Sequence, residues 1–130
     1  MKAATARDLA VDIAGRIDGL GPIGVGRFFA GAALLADGVQ FGFVMKGTLY
    51  LRVDDASRPD FEALGARPFS YAGSSKIVTV ASYYEVPEDV LEDADELCGW
   101  ATRARRAALV ARGDDRPKRR RKGSVREPGL

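Results

Sequence analysis

Seven basic side chains near the C-terminus form the densest group of chemically similar residues: Arg116, Lys118, Arg119, Arg120, Arg121, Lys122 and Arg126. Such a run can neutralise several nucleic-acid phosphates and release their counterions, which gives binding that is independent of sequence and weakened by salt. It can equally serve as a solubilising terminus that contacts nothing specific. The sequence therefore indicates a candidate nucleic-acid-binding segment and leaves this alternative open.

Carboxylates form a second group, and two of them could hold a hard cation. The group consists of Glu85, Glu88, Asp89, Glu92, Asp93, Asp95 and Glu96. Most of these residues fall in the first turn or on the outer side of a predicted helix, where capping and solvent exposure account for them. We expect no metal site.

The sequence contains no histidine, which removes the imidazole that many hydrolases use as a base, nucleophile partner or zinc ligand. The single cysteine, Cys98, lies beside an apolar stripe, where packing explains it better than reactivity. Residues 73–76 fall in a predicted hairpin turn, and the glycines of residues 21–26 precede a strand, so neither segment has the geometry of a phosphate-binding loop. We therefore expect no catalytic residue, no cofactor and no enzymatic activity.

A second class of function stays open at this point. Carboxylates and Lys76 could meet in a cleft between sheet and helices and form a small-molecule-binding or weakly catalytic site. A deep pocket with converging polar groups would favour that alternative, whereas a partly apolar surface patch would favour an interaction module.

Four tyrosines fall on or beside predicted strands: Tyr50, Tyr71, Tyr83 and Tyr84. Aromatic rings on a sheet can stack nucleic-acid bases. Strand tyrosines are more commonly packing residues, so we predict that these four pack against the helices and form no stacking platform.

The elements that position these residues begin with a helix capped by Thr5, in which Leu9, Ala10, Ile13, Ala14 and Ile17 form one apolar face. Three β-prone runs follow, at residues 25–35, 39–45 and 48–53. They are joined by short glycine-containing links, which predict an antiparallel meander. In the third run the alternating leucines face one side and Tyr50 the other.

The second half of the chain continues with a short helix that is marked by Ser57 and, three residues later, Asp60, and then with two strands at residues 68–71 and 76–84. A helical turn opens at Pro87. Asp93 caps a final helix with an apolar stripe at Leu97, Trp100, Ala101, Ala104, Ala108 and Ala111, and Gly113 ends it. The fold class is therefore α+β, with an antiparallel sheet of about five strands covered by N-terminal and C-terminal helices.

The charge distribution divides the 130 residues into two parts. Residues 1–111 carry twelve basic and fifteen acidic residues, a net charge of −3, whereas residues 112–130 carry eight against three, a net charge of +5. We predict one domain over residues 1–113 and a disordered basic tail over residues 114–130. The apolar runs are too short to cross a membrane, the N-terminus lacks a secretory signal pattern and there is a single cysteine, so we expect a cytoplasmic protein.

From about Gly26 to Ala108 the sequence resembles the N-terminal domain of the TfoX/Sxy family of bacterial competence regulators. The resemblance rests on an ordered series of short signatures. They are Gly31, Asp37-Gly38, Phe41-Gly42-Phe43-Val44, Leu49-Tyr50-Leu51-Arg52-Val53-Asp54, Phe61-Glu62-Ala63-Leu64-Gly65, Pro68-Phe69-Ser70-Tyr71, Lys76, residues 82–92 and Trp100-Ala101. Family members usually have Met-Phe-Gly-Gly where this chain has Phe28-Phe29-Ala30-Gly31. Full-length regulators also carry a second domain where this chain has its basic run.

The resemblance implies a stand-alone α+β domain of this type, without catalytic residues to transfer. Together with the residue analysis, it leads us to expect a non-enzymatic regulatory or interaction module, linked to transcription or competence regulation. We expect a protein partner for the folded domain, nucleic-acid contact through the basic tail and no membrane association.

Overall fold

The structure is a computed structural model that describes residues 5–114. The helices are α1 (Ala6–Arg16), α2 (Arg58–Ala63), α3 (Glu88–Leu91) and α4 (Ala94–Asp114), and a single 3-10 turn lies at Asp18–Leu20. The strands are β1 (Ile23–Phe28), β2 (Gly31–Ala36), β3 (Val39–Met45), β4 (Thr48–Arg52), β5 (Pro68–Ala72) and β6 (Ile77–Glu85).

The strands form one antiparallel sheet in the order β1-β2-β3-β4-β6-β5. The sheet has six strands because residues 25–35, which the sequence predicted as one extended run, form parts of two strands. The chain reverses at Phe29 and Ala30, so that Phe28 pairs with Gly31. This turn has no glycine at its two central positions, which is why the usual hairpin signal did not reveal it. The α+β class itself is confirmed.

Local sequence signals set the start of α1. The Thr5 hydroxyl accepts a 3.0 Å hydrogen bond from the Asp8 amide, while the Asp8 carboxylate accepts a 3.2 Å bond from the Thr5 amide. This reciprocal pair is a capping box, which satisfies two amide groups that the helix itself leaves without partners. The predicted cap at Thr5 is therefore confirmed.

The predicted start of a helix after Ser57 is confirmed, but the Ser57 side chain does not cap it. Ser57 precedes α2, but its hydroxyl accepts a 3.0 Å hydrogen bond from the Asp54 amide and makes no bond to the helix. The Asp54 carboxylate accepts in return from the amides of Ala56, at 3.1 Å, and Ser57, at 2.9 Å. A turn upstream of α2 uses the Ser57 side chain, because short polar side chains bond equally well to neighbouring backbone groups on either side.

Helices α1 and α4 pack on one face of strands β1 to β4. Ile13 of α1, Leu97 of α4 and Leu51 of β4 are fully buried in the same hydrophobic core. Asp93 caps α4 as predicted, with its carboxylate accepting a 3.1 Å hydrogen bond from the Glu96 amide. The predicted apolar stripe of α4 is also confirmed, since Ala101, Ala104 and Ala108 are buried against the sheet.

Helix α4 includes Gly113 and reaches Asp114, one residue beyond its predicted end. A glycine inside a helix costs about 1 kcal/mol relative to alanine, which weakens the helix without having to end it. Within the part of the chain that the structure describes, no helix is both long enough and apolar enough to cross a membrane.

Candidate functional site

The face of the sheet opposite the helices carries the candidate site. Along β4, Leu49 and Leu51 are buried toward the helices, whereas Thr48, Tyr50 and Arg52 are only half-buried and point to the other face. This alternation follows from the period of two along a strand. The same pairing places Phe43 beside Tyr50 on that second face.

Phe43 lies at the centre of a cluster of rings on this second face, although it is itself only 1% exposed. Its ring centroid lies 4.5 Å from Phe28, 5.0 Å from Tyr50, 5.0 Å from Phe69 and 5.0 Å from Tyr83. Offset and edge-to-face pairs of this kind each contribute about 0.5–1.5 kcal/mol beyond the area that they bury. The cluster therefore has a fixed geometry, and we refer to this side of the sheet as the aromatic face.

A concavity of about 440 Å³ opens on the aromatic face. Six rings line it: Phe28, Phe29, Phe43, Phe69, Tyr71 and Tyr83. Ala30, Met45 and Val80 complete its wall, so all lining residues belong to strands or to the turn between β1 and β2. The volume falls within the range of roughly 300–1,000 Å³ typical of ligand sites, and the lining contains no charged side chain.

Phe29 lies at the rim of this concavity with an unusual exposure and an unusual backbone conformation. Its side chain is 91% exposed, and its backbone φ of 50° lies in the left-handed region that bulky residues avoid. Its ring touches Phe28 edge to face, with centroids 4.8 Å apart. A strained backbone that holds a large apolar side chain out in water is a feature that accompanies function more often than stability.

Charged residues surround the concavity without entering it. The guanidinium of Arg52 lies over the ring of Tyr83, 5.6 Å from its centroid, and its Nε atom is buried without a hydrogen-bond partner among residues 5–114. Lys46 is exposed in the turn directly after Met45. Arg67, beside Pro68, makes a loose pair with Glu85 at 3.8 Å. We call Lys46, Arg52 and Arg67 the basic rim.

The predicted packing of the tyrosines against the helices is correct for one residue and wrong for three. Tyr84 is buried in the core, 6.1 Å from the Phe61 ring, and donates a 2.7 Å hydrogen bond to Glu62. Tyr50, Tyr71 and Tyr83 lie on the aromatic face instead. Burial, reinforced by the negative charge of Glu85, raises the pKa of Tyr50, so that its phenol stays neutral there.

The acidic residues take the ordinary positions that the sequence indicated. Glu88 and Asp89 lie in the first turn of α3, and Asp95 and Glu96 in the first turn of α4. No three potential metal ligands of the described chain come together as a cation site. Cys98 packs against the hydrophobic core.

Lys76 is exposed beside the turn between β5 and β6, where its carbonyl oxygen accepts a 2.8 Å hydrogen bond from the Gly73 amide. It does not line the concavity, and neither does any carboxylate. The seven basic residues from Arg116 to Arg126 lie outside the described residues, as does the predicted tail except for its first residue, Asp114, which belongs to α4.

Sequence reasoning placed Tyr50 on the correct side of its strand but missed the concavity. The missed residues are Phe28, Phe29, Phe43, Met45, Phe69 and Val80. The sequence did contain a signal for the side on which Tyr50 lies. The two helices must cover an apolar face of the sheet, and the leucines of β4 supply that face. Tyr50, on the opposite side of that strand, therefore had to lie away from the helices.

Comparison with known proteins identifies the fold family. No curated protein is similar enough to the chain to count as a match. A family model described as the TfoX N-terminal domain matches residues 16–108, which include β1 to β6 and most of α4. That segment holds every residue of the aromatic face and the basic rim. The chain thus belongs to the TfoX N-terminal domain family.

Proposed function

We propose that this protein is a non-enzymatic, cytoplasmic interaction module that binds a protein partner on its aromatic face. Membership of the TfoX N-terminal domain family supports a regulatory or interaction role in general. The single cysteine agrees with a reducing compartment. We further propose that the interaction serves transcription or competence regulation, as the family resemblance implies.

The observation that carries this proposal is the concavity of the aromatic face with Phe29 at its rim. Contiguous apolar surface is rare on soluble proteins outside interaction sites, and aromatic side chains are the residues most enriched where partners bind tightly. The concavity presents two tyrosine hydroxyls but no carboxylate, amine or thiol that could act on a substrate. Such a surface is suited to receiving apolar side chains.

Selection of random peptides displayed on phage tests the proposal. The full-length protein and its Phe29→Ser variant are used as parallel targets. We expect peptides with aromatic or aliphatic anchors to be enriched on the unmodified protein, with binding about tenfold weaker on the variant, since exposed aromatic residues at interfaces commonly contribute more than 1 kcal/mol. The control is Val11→Ser, which removes another exposed apolar side chain, on α1.

Peptides that bind Phe29→Ser as well as the unmodified protein would contradict the proposal, as would the absence of any enrichment. Trp100 fluorescence monitors folding of each variant. Trp100 lies on the helical side, 4.5 Å from the Phe61 ring, so it reports on the core and not on the aromatic face.

The second contact that we propose is between the basic tail and nucleic acid. We propose that Arg116, Lys118, Arg119, Arg120, Arg121, Lys122 and Arg126 bind nucleic-acid phosphates without sequence preference. The net charge of +5 over residues 112–130 supports this role, since sequence-independent binding grows with the number of phosphates neutralised. The domain would then bind its partner while the tail holds the protein near nucleic acid.

A further inference from the structure

We infer that the partner segment bound by the aromatic face is acidic and amphipathic: apolar side chains fill the concavity while flanking Asp or Glu residues pair with the basic rim. This inference rests on the proposed function and specifies the chemistry of its partner.

Charge around the concavity is opposite in sign to the charge of the domain as a whole. Residues 1–111 carry a net charge of −3, yet Lys46, Arg52 and Arg67 border the aromatic face. Glu85, on the same face, is the carboxylate that pairs with Arg67. Carboxylates instead concentrate on the helices, in the first turns of α3 and α4. A partner is therefore steered by charge toward the aromatic face only when it is itself negative.

Arg52 presents a guanidinium whose orientation is already set. Its Nε hydrogen is buried and has no acceptor within the described range, although an arginine nitrogen in this position normally has one. The guanidinium is held in place over Tyr83, which itself lines the concavity. An arriving carboxylate can accept from the outer nitrogens of a guanidinium that is already oriented.

The concavity selects against nucleic-acid bases. Base edges carry several hydrogen-bonding groups, and each one buried without a partner costs free energy. The side chains of the wall offer only the hydroxyls of Tyr71 and Tyr83. Leucine or phenylalanine side chains lose no hydrogen bonds on entering the same space, so a protein segment fits better than stacked bases.

The spacing of the cations selects an extended segment over a small lipophilic acid. Lys46 precedes β4, and Arg52 is the last residue of that strand. Thr48 to Arg52 alone spans about 13 Å at 3.3 Å per residue, so the two cations start from opposite ends of β4 and one carboxylate reaches both only if both side chains turn toward it. A segment of several residues with carboxylates on both sides of an apolar anchor can pair with each cation separately.

Three synthetic peptides of about a dozen residues test the inference on the full-length protein. The first combines leucine and phenylalanine anchors with aspartates, the second replaces each aspartate by lysine, and the third keeps the aspartates but replaces each anchor by serine. The third peptide measures attraction to the basic tail alone. Binding is measured by fluorescence anisotropy with the same label on each peptide.

We expect the first peptide to bind about tenfold more tightly than either of the others, since charge pairing and apolar burial must both contribute. Lys46→Gln and Arg52→Gln should each weaken it severalfold, whereas Arg7→Gln, on the exposed surface of α1, should leave it unchanged. Trp100 fluorescence tests whether Arg52→Gln remains folded. A short oligothymidylate and decanoate serve as competitors.

Equal binding of the first two peptides, both weakened by Phe29→Ser, would overturn the acidic partner and leave the proposed function standing. Failure of every peptide to bind would end both. Displacement of the first peptide by decanoate or oligothymidylate at lower concentration than unlabelled peptide would overturn the inference in favour of a lipophilic acid or a nucleic acid.

Discussion

The phenolic hydroxyl of Tyr84 donates a 2.7 Å hydrogen bond to Oε2 of Glu62, which links β6 to α2 at the edge of the hydrophobic core. The ring is buried, with 4% of its surface exposed, while Glu62 reaches solvent. Tyr84 lies on the helical side of the sheet because it directly follows Tyr83 in β6, and successive side chains of a strand point to opposite faces. A buried phenol needs a partner for its hydroxyl, and α2 provides one.

Tyr84→Phe should lower the free energy of unfolding by about 1 kcal/mol at neutral pH, because one hydrogen bond is lost and its acceptor stays hydrated. The bond to Glu62, together with burial, raises the pKa of Tyr84. The phenol of Tyr84 ionises at a lower pH in the unfolded protein than in the folded protein. The stabilisation from its hydrogen bond is therefore fully present below a pH of about 10, the unfolded-state pKa, and is lost as the pH rises through the folded-state pKa.

Urea unfolding between pH 8 and pH 11, followed by Trp100 fluorescence, measures both effects. The difference between Tyr84→Phe and the unmodified protein should shrink at the alkaline end. The pKa of Tyr50 is raised as well, so some alkaline destabilisation should remain in the variant. A constant difference at all pH values would show that the bond does not govern ionisation of Tyr84.

Asp54→Asn should cost about 1 kcal/mol at pH 7, because two backbone amides lose a charged acceptor. Hydrogen bonds, first of all the one from the Ser57 amide, lower the pKa of Asp54. The stabilisation that Asp54 contributes is therefore fully present above its unfolded-state pKa of about 3.9. It is lost as the pH falls through the lower pKa of the folded state.

Urea unfolding at pH 7 and near pH 2 checks this prediction, and the difference should be small in acid. Asp55→Asn is the matched control. Its carboxylate is fully exposed and pairs with Arg58 at 2.8 Å, so removal of the charge should change stability much less than Asp54→Asn does. Equal losses in the two variants would contradict the role assigned to Asp54.

Gly31→Ala should destabilise the fold by about 3 kcal/mol or more, since an added methyl group would lie 2.0 Å from the carbonyl oxygen of Val44. The backbone of β2 approaches β3 closely at this point, and neither strand can move without breaking their pairing. Gly15→Ala, in an open position of α1, should instead stabilise the protein by about 1 kcal/mol. Thermal unfolding measures both, and tolerance of Gly31→Ala would refute the close approach.

Replacement of Lys118, Arg119, Arg120, Arg121 and Lys122 by serine should remove most binding to a random-sequence DNA duplex at low salt. Each lost phosphate contact should also reduce the slope of log K against log salt concentration by about 0.9. Fluorescence anisotropy over a salt series measures the affinity and the slope together. Unchanged binding would show that the basic run is a solubilising terminus.

Local signals in the sequence were sufficient for most of the elements. The Thr5 cap depends on Asp8, three residues away, and the Asp93 cap on Glu96 at the same spacing. The apolar stripe of α4 and the alternation in β4 are likewise readable from periodicity. In each case the interacting groups are close together in the chain, so their order along it decides the structure.

The bonding of the Ser57 side chain and the turn at Phe29 could not be predicted from local signals, for a related reason. Ser57 had two neighbouring backbone partners of similar quality, and Asp54 on its N-terminal side competed successfully with the helix. The turn at Phe29 requires a left-handed backbone at a bulky residue, which local preference disfavours. It forms because pairing of β1 with β2, and of β2 with β3, compensates for the strain.

Residue order and composition were enough to predict the α+β class, the ends of the helices to within a residue or two, and the opposite net charges of residues 1–111 and 112–130. The convergence of Phe28, Phe43, Phe69, Tyr71 and Tyr83 on the side away from the helices could be seen only in the assembled sheet. These rings come from four different strands, and their meeting depends on strand order and on which face the helices cover. Both depend on contacts between residues far apart in the chain, which the alternation within a single strand does not specify.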